Sequence, residues 1–171
     1  MFTLVTGGAA SGKSEYAESL VLNLPGRRIY LAALWPMDGE CRARIEKHRR
    51  ARRHKGFATV ERYTDLAGLT GLEGGNVLLE CLGTLTANEL YDPAGGGGPA
   101  VLRGVETLLG QCRNLTAVTN EVFSGGADYE AGTLAYLRTL AEVNRILAAR
   151  ADRVVEVVCG LPVFLKGGPE R

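Results

Sequence analysis

One stretch limits the possible folds of this chain more than any other: Phe2-Thr3-Leu4-Val5-Thr6-Gly7-Gly8-Ala9-Ala10-Ser11-Gly12-Lys13-Ser14. A short apolar run with β character leads into the spacing Gly-x-x-x-x-Gly-Lys-Ser, met at Gly7, Gly12, Lys13 and Ser14. Glycines permit backbone angles and close approach that a Cβ would block, so successive amides can turn inward toward phosphate oxygens. The segment that follows, Glu15 to Leu22, carries Ala17, Leu20 and Val21 at helical spacing. A helix starting there adds its unpaired N–H groups and the positive end of its dipole. Gly7, Gly8, Ala9, Ala10, Ser11, Gly12, Lys13 and Ser14 therefore read as a phosphate cradle, with Lys13 neutralising the outer phosphates and the Ser14 hydroxyl placed to hold Mg2+.

A chain of 171 residues is long enough for one well-cored domain and short for two. Hydrophobic residues at 46% and charged residues at 23% are ordinary globular values, which argues against global disorder. A net charge of +1 supplies no whole-protein attraction to nucleic acid or membrane, so neither is expected as a partner. Met1 to Val5 lacks the basic start of a signal peptide, and no apolar run approaches the about 18 residues that a membrane span needs. Cys41, Cys81, Cys112 and Cys159 are widely spaced and only two histidines could join them, so they read as thiols of a cytoplasmic protein rather than a zinc site.

Further apolar runs alternate with helical segments, the pattern of parallel β-α-β units. Ile29 to Leu34, Phe57 to Glu61, Asn76 to Cys81, Leu115 to Val122 and Arg153 to Cys159 read as strands, and Val163 to Leu165 as a short edge segment. Between them, Gly83 to Tyr91, Ala100 to Arg113 and about Tyr129 to Arg150 read as helices, the last with a stripe at Leu134, Leu137, Ala141, Leu147 and Ala148 interrupted by Asn144. Thr64-Asp65-Leu66 reads as the start of a short capped helix, and Asp92 to Pro99 as a loose solvent loop. With no repeat or linker, residues 1–171 read as a single α/β domain with a mostly parallel sheet flanked by helices.

Nucleotides bind such sheets at the carboxyl ends of the strands, which brings Ala32, Ala33 and Leu34 near the ligand. Glu80 closes an apolar run and so reads as a strand-end acid beside a phosphate-bound metal, a second metal candidate with Ser14. Asn120 and Glu121 end the next strand and join the same edge. The segment Asp38 to His54 is strongly basic, and such helices are ordinarily solvated faces. Here, however, Arg44 and Arg52 lie four residues on either side of His48 and share its helix face, with Ile45 to seat that face. Neighbouring positive charge keeps an imidazole neutral, as a nucleophile requires, while the guanidinium groups can grip a polyphosphate.

Taken in order, these residues resemble the bifunctional adenosylcobinamide kinase / adenosylcobinamide-phosphate guanylyltransferase family of corrinoid assembly. The series is the phosphate loop, Tyr30-Leu31-Ala32, Arg44-Ile45-x-x-His48 with Arg52, Thr59-x-Glu61, Leu78-Leu79-Glu80-Cys81, Asn88, Val118 to Val122, Asn144, Ala151-Asp152 and Gly160-Leu161-Pro162. The resemblance implies a P-loop α/β domain that phosphorylates adenosylcobinamide and then transfers GMP from GTP through a guanylylated His48. It further implies GTP and ATP as substrates with Mg2+, assembly as a homotrimer, and nucleotide contacts on the loop, Ala32 to Leu34, Arg49, Arg50, Ala51, Arg52, Glu61 and Glu80. Three positions depart from the pattern: Ala10 stands where many relatives have arginine, Phe57 where tryptophan is common, and Phe123 to Asp128 replaces a Gly-x-Gly-Ile-Val-Pro run. The competing readings are a single-activity guanylyltransferase, a P-loop kinase for a related alcohol, and a nucleotide-sensing module without turnover.

Overall fold

In the computed structural model, which describes residues 1–36, 39–52, 54–124 and 128–168 without the side chains of residues 40, 44, 47, 48, 51 and 52, the opening apolar run forms β1 (Phe2–Thr6). Four of its five side chains are buried, because the strand lies inside the sheet and is covered on both faces. The remaining strands are β2 (Arg28–Ala32), β3 (Phe57–Glu61), β4 (Asn76–Glu80), β5 (Asn114–Val118), β6 (Arg153–Val158) and β7 (Leu161–Lys166). The helices are α1 (Lys13–Leu22), α2 (Gly39–Arg52), α3 (Leu82–Tyr91), α4 (Gly97–Gln111) and α5 (Ala131–Arg150).

The strands pair in the order β3-β2-β4-β5-β1-β6-β7. All neighbours run parallel except β7, which returns antiparallel along β6 and is exposed at every residue. Strand periodicity divides each run between two cores. Leu4, Leu31, Leu79 and Ala117 face one side and pack with Val101, Val105 and Leu108 of α4 and Val143 and Leu147 of α5. Val5, Tyr30, Leu78 and Val118 face the other and pack with Ala17 and Val21 of α1. Burying each such Leu or Val contributes about 1.5–3 kcal/mol, so the sheet centre is the most costly part to disturb.

Several elements differ from the sequence expectation, each for a tertiary reason. The second strand stops at Ala32, where its partner β4 ends at Glu80, and Ala33 and Leu34 continue beyond the ladder. The strand expected to reach Val122 ends at Val118 for the same reason. The short helix near Asp65 is one 3-10 turn without a side-chain cap; Asp65 is left-handed (φ 50°) and its carboxylate pairs with Arg62 instead. Helix α5 buries Leu140, Val143 and Leu147, while Leu134 and Ala141 of the expected stripe are exposed, because at about 100° per residue both lie round the helix from the face that those three residues form. Asp38 and Arg53 at the ends of the expected basic helix, residues 125–127, and residues 169–171 lie outside the described residues.

The largest difference is the glycine-rich stretch, whose last three residues, Gly97, Gly98 and Pro99, form the first turn of α4. Glu89, only 3% exposed, explains the order there. Its Oε1 accepts the Asp65 N–H at 2.6 Å and its Oε2 the Gly96 N–H at 2.9 Å, so one buried carboxylate ties two loops to α3. A Cβ on Gly95 would lie 2.2 Å from the Glu89 carbonyl oxygen, which makes glycine obligatory at the turn. Asn76, fully buried, acts similarly at the other end of the sheet, donating to the Pro25 and Arg27 carbonyls and accepting from Asn114. Substituting Glu89→Ala removes the acceptor shared by two part-buried N–H groups, and we expect a loss of about 2 kcal/mol in urea unfolding, with Glu89→Gln retaining part of it.

Candidate active site

The phosphate loop joins β1 to α1 at the carboxyl edge of the sheet. Gly12 occupies the N-cap of α1 in the left-handed region (φ 88°), and no side chain caps the helix, so its first-turn amides stay open to an anion. A Cβ on Gly12 would meet the Gly160 Cα at 3.2 Å; one on Gly7 would sit 2.5 Å from Ser11 Oγ and 2.7 Å from the Val157 carbonyl oxygen. Neighbouring strands brace the loop from both sides: the Gly160 N–H donates to the Ser11 carbonyl at 2.8 Å, and the Glu121 N–H to the Gly7 carbonyl at 3.0 Å. Lys13 Nζ rests on the Gly8 carbonyl at 3.0 Å. The resulting cleft of about 370 Å³ is lined by Ala9 to Glu15 together with Asn120 and Val122.

Strand order places the expected acid beside this loop. Glu80 ends β4 and is separated from β1 only by β5. Its Oε1 accepts the Ser14 hydroxyl at 2.5 Å and its Oε2 the Tyr30 hydroxyl at 2.9 Å. The two metal candidates therefore touch across the sheet edge.

A second, smaller cleft of about 70 Å³ lies over β2 and β3, lined in part by Ala32, Leu34, Ile45, Arg49, Glu61 and Glu80. Glu80 thus contributes to the wall of this cleft while bonded to the phosphate loop. Ala33 turns the other way: its methyl is fully buried against the α3–α5 core and its N–H donates to the Glu80 carbonyl at 3.2 Å. Arg49 forms an ion pair with Glu61, and the second Glu61 oxygen accepts the Tyr63 hydroxyl at 3.0 Å. Burial, and then the bond to Glu61, push the Tyr63 phenol above its ordinary value. Trp35 stacks on Tyr63 with ring centroids 5.3 Å apart. Arg50 instead pairs with Glu46, one turn back on the exposed side of α2. His48 lies three residues past Ile45 on α2; its side chain, and those of Ala51 and Arg52, lie outside the described residues.

The sequence reading named Asn88 only as part of the family series and gave it no role. Asn88, on α3, donates both amide hydrogens at 2.8 Å, one to the Ala33 carbonyl and one to the Tyr63 carbonyl, and so fixes the two segments that edge the small cleft. Nothing in its segment sets it apart by pattern, since Thr84, Thr86 and Glu89 are polar positions of the same helix. Asn144 forms the buried network its place in the α5 stripe suggested, accepting the Thr119 hydroxyl at 2.6 Å and donating to the Asn120 carbonyl. Gly83 is required at the start of α3 because a Cβ would lie 2.7 Å from Asn120 Nδ2.

Residues 3–165 match the model of a family described as cobinamide kinase / cobinamide phosphate guanyltransferase. The chain belongs to this family. It is 36% identical over 184 residues to the bifunctional adenosylcobalamin biosynthesis protein CobU of Escherichia coli strain K12, covering 97% of this chain and 100% of that one. It is 34% identical over 176 residues to the bifunctional adenosylcobalamin biosynthesis protein CobP of Pseudomonas aeruginosa, covering 99% of each. Among solved structures it resembles a protein from Pyrococcus horikoshii OT3 (TM-score 0.56, 10% identity, 96% of this chain and 85% of that one). It also resembles the flagellar accessory protein FlaH of Methanocaldococcus jannaschii (TM-score 0.52, 11% identity, 99% and 81%). At those identities the likeness is one of fold, an α/β sheet of mostly parallel strands.

The small cleft is supported from α3, and that support is testable. Asn88→Ala removes the donor shared by the Ala33 and Tyr63 carbonyls; we expect nucleotide affinity, measured by titration calorimetry, to fall about tenfold, with about 1–2 kcal/mol lost from folding stability.

Proposed function

We propose that this chain, acting as one nucleotide-binding domain over residues 1–171, carries out both reactions of its family in cobalamin biosynthesis. It phosphorylates the aminopropanol hydroxyl of adenosylcobinamide and then joins GMP from GTP to the phosphate so formed. The observation that carries the reading is the facing pair of Ser14 and Glu80 beside an open phosphate loop, in a chain that matches the family over nearly its full length.

In the kinase step, the loop amides and Lys13 hold the triphosphate of ATP or GTP, and the cleft walled by Asn120 leaves room for the acceptor hydroxyl. Ser14 and Glu80 offer hard oxygen donors close together, a set that suits Mg2+ shared with phosphate oxygens. Bound there, the ion would neutralise charge building on the β- and γ-phosphates. In the transfer step, an imidazole nitrogen of His48 attacks the α-phosphorus of GTP: a P–N bond forms, the bond to the β-phosphate oxygen breaks, and pyrophosphate leaves. An oxygen of the cobinamide phosphate then attacks the same phosphorus, and the P–N bond breaks to regenerate histidine. Ala32, Leu34, Arg49 and Glu61 would border the guanosine, with Arg50, Ala51 and Arg52 continuing along α2.

Among the described residues no helix is long and apolar enough to cross a membrane. As the family resemblance implies, the chain would act as a cytoplasmic homotrimer on small-molecule substrates. Incubation with α-labelled GTP should leave covalent label on the protein. His48→Asn should abolish it while cobinamide phosphorylation persists; label retained in that variant would remove His48 as nucleophile. Lys13→Ala should weaken triphosphate binding at least tenfold in titration calorimetry, since it deletes a charge-assisted contact to the outer phosphates.

A further inference from the structure

Tyr30 is held against the acid that the proposed function places beside the cation, and nothing above assigns it a part. In the β2–β4 register Tyr30 lies opposite Leu78 and Ala32 opposite Glu80, so Tyr30 and Glu80 project on the same face of the sheet, one pleat apart. The tyrosine ring is 5% exposed, packed in the α1-side core, and meets Phe57 edge-on with centroids 6.3 Å apart. Only its hydroxyl reaches the polar edge, where it donates to Glu80 Oε2 at 2.9 Å.

We propose that Tyr30 is a positioning residue that locks Glu80 toward the phosphate loop. A glutamate side chain has three rotatable bonds and would otherwise sample several directions. Glu80 bonds to Ser14 of the phosphate loop while lining the smaller cleft, which also contains Arg49, a cation paired with Glu61 and able to compete for the Glu80 carboxylate. With Oε2 fixed by a buried phenol, Oε1 is left facing the Ser14 hydroxyl. A phenol suits this task because it donates without adding charge; a lysine there would neutralise the carboxylate and repel a divalent ion. Packing rather than chemistry makes the lock stiff, because the ring cannot leave its slot without opening the core beneath α1.

This inference rests on the reading of Glu80 as the cation-holding acid, so the test separates the two. Mn2+ binding to the protein saturated with the α,β-methylene analogue of GTP is followed by electron paramagnetic resonance for the unaltered chain, Tyr30→Phe, Glu80→Gln and the double variant. The expected result is a Mn2+ Kd raised about tenfold in Tyr30→Phe, the order of one hydrogen bond to a charged group. The metal-free analogue affinity and the thermal midpoint should stay unchanged, and the double variant should be no weaker than Glu80→Gln. Full Mn2+ affinity in Tyr30→Phe alongside a weakened Glu80→Gln overturns the positioning role and leaves Glu80 as the acid. Additive losses in the double variant overturn it equally. Unchanged affinity in Glu80→Gln removes the acid assignment and the Tyr30 role with it. If Tyr30→Phe disturbs the core, Tyr30→Met, which also lacks the donor but adapts its shape, gives the same comparison.

Discussion

Inside a parallel sheet every backbone amide is engaged by a neighbouring strand, so a chain of this kind can offer free donors to a polyanion only where strands stop. The position of β1 between β5 and β6 turns that limit into a site. The loop leaving β1 is flanked by the ends of both neighbours, and each contributes a backbone contact that shapes it, Glu121 to Gly7 on one side and Gly160 to Ser11 on the other. A glycine-rich loop alone would be floppy; one braced in this way is preorganised, and little ordering cost remains to be met when phosphate arrives.

The same economy recurs at several polar side chains in or beside the cores. Glu89, Asn88, Asn76 and Asn144 each bind backbone groups of segments far apart in the chain, and each fixes a loop that the hydrophobic cores do not reach. Buried polar groups are costly unless satisfied, and satisfied ones specify a single arrangement. Around the site this produces a layered construction. The phosphate loop is held by strands, the segments after β2 and β3 by α3, and the strand-end acid by groups on α1 and β2.

Glu80 is the point where these layers meet. Its carboxylate belongs to the phosphate cleft through Ser14 and to the smaller cleft through its place in that wall. Two chemistries on one nucleotide-binding chain, phosphoryl transfer at the outer phosphates and nucleotidyl transfer at the inner one, need groups that see both ends of a triphosphate. An acid that lines the smaller cleft and bonds to the phosphate loop is placed between those two regions.

The element types, the phosphate loop and the acid at the end of β4 were legible in the residues because each depends on local chemistry: glycine's freedom, period-two burial, and a charge that ends an apolar run. What local chemistry cannot supply is where a neighbour stops. The apolar run through Ala33 and Leu34 reads as strand, yet the ladder ends at Ala32 because β4 ends opposite it. Gly97, Gly98 and Pro99 read as loop, yet they form a helical turn because Glu89 holds Gly96 and because Gly98 packs against Thr139 and Val143 of α5. The α5 stripe kept a helical period but placed Leu134 and Ala141 on the covered face, which Leu140, Val143 and Leu147 form instead, since only packing against neighbours decides which face of a helix is covered. Sequence by itself therefore determined a parallel α/β nucleotide binder and the kind of chemistry its loop supports. Only the tertiary structure decided that Tyr30, Ser14 and Glu80 share one hydrogen-bonded cluster, because that meeting depends on β2 lying beside β4, and β4 lying one strand from β1, in an order that no single segment encodes.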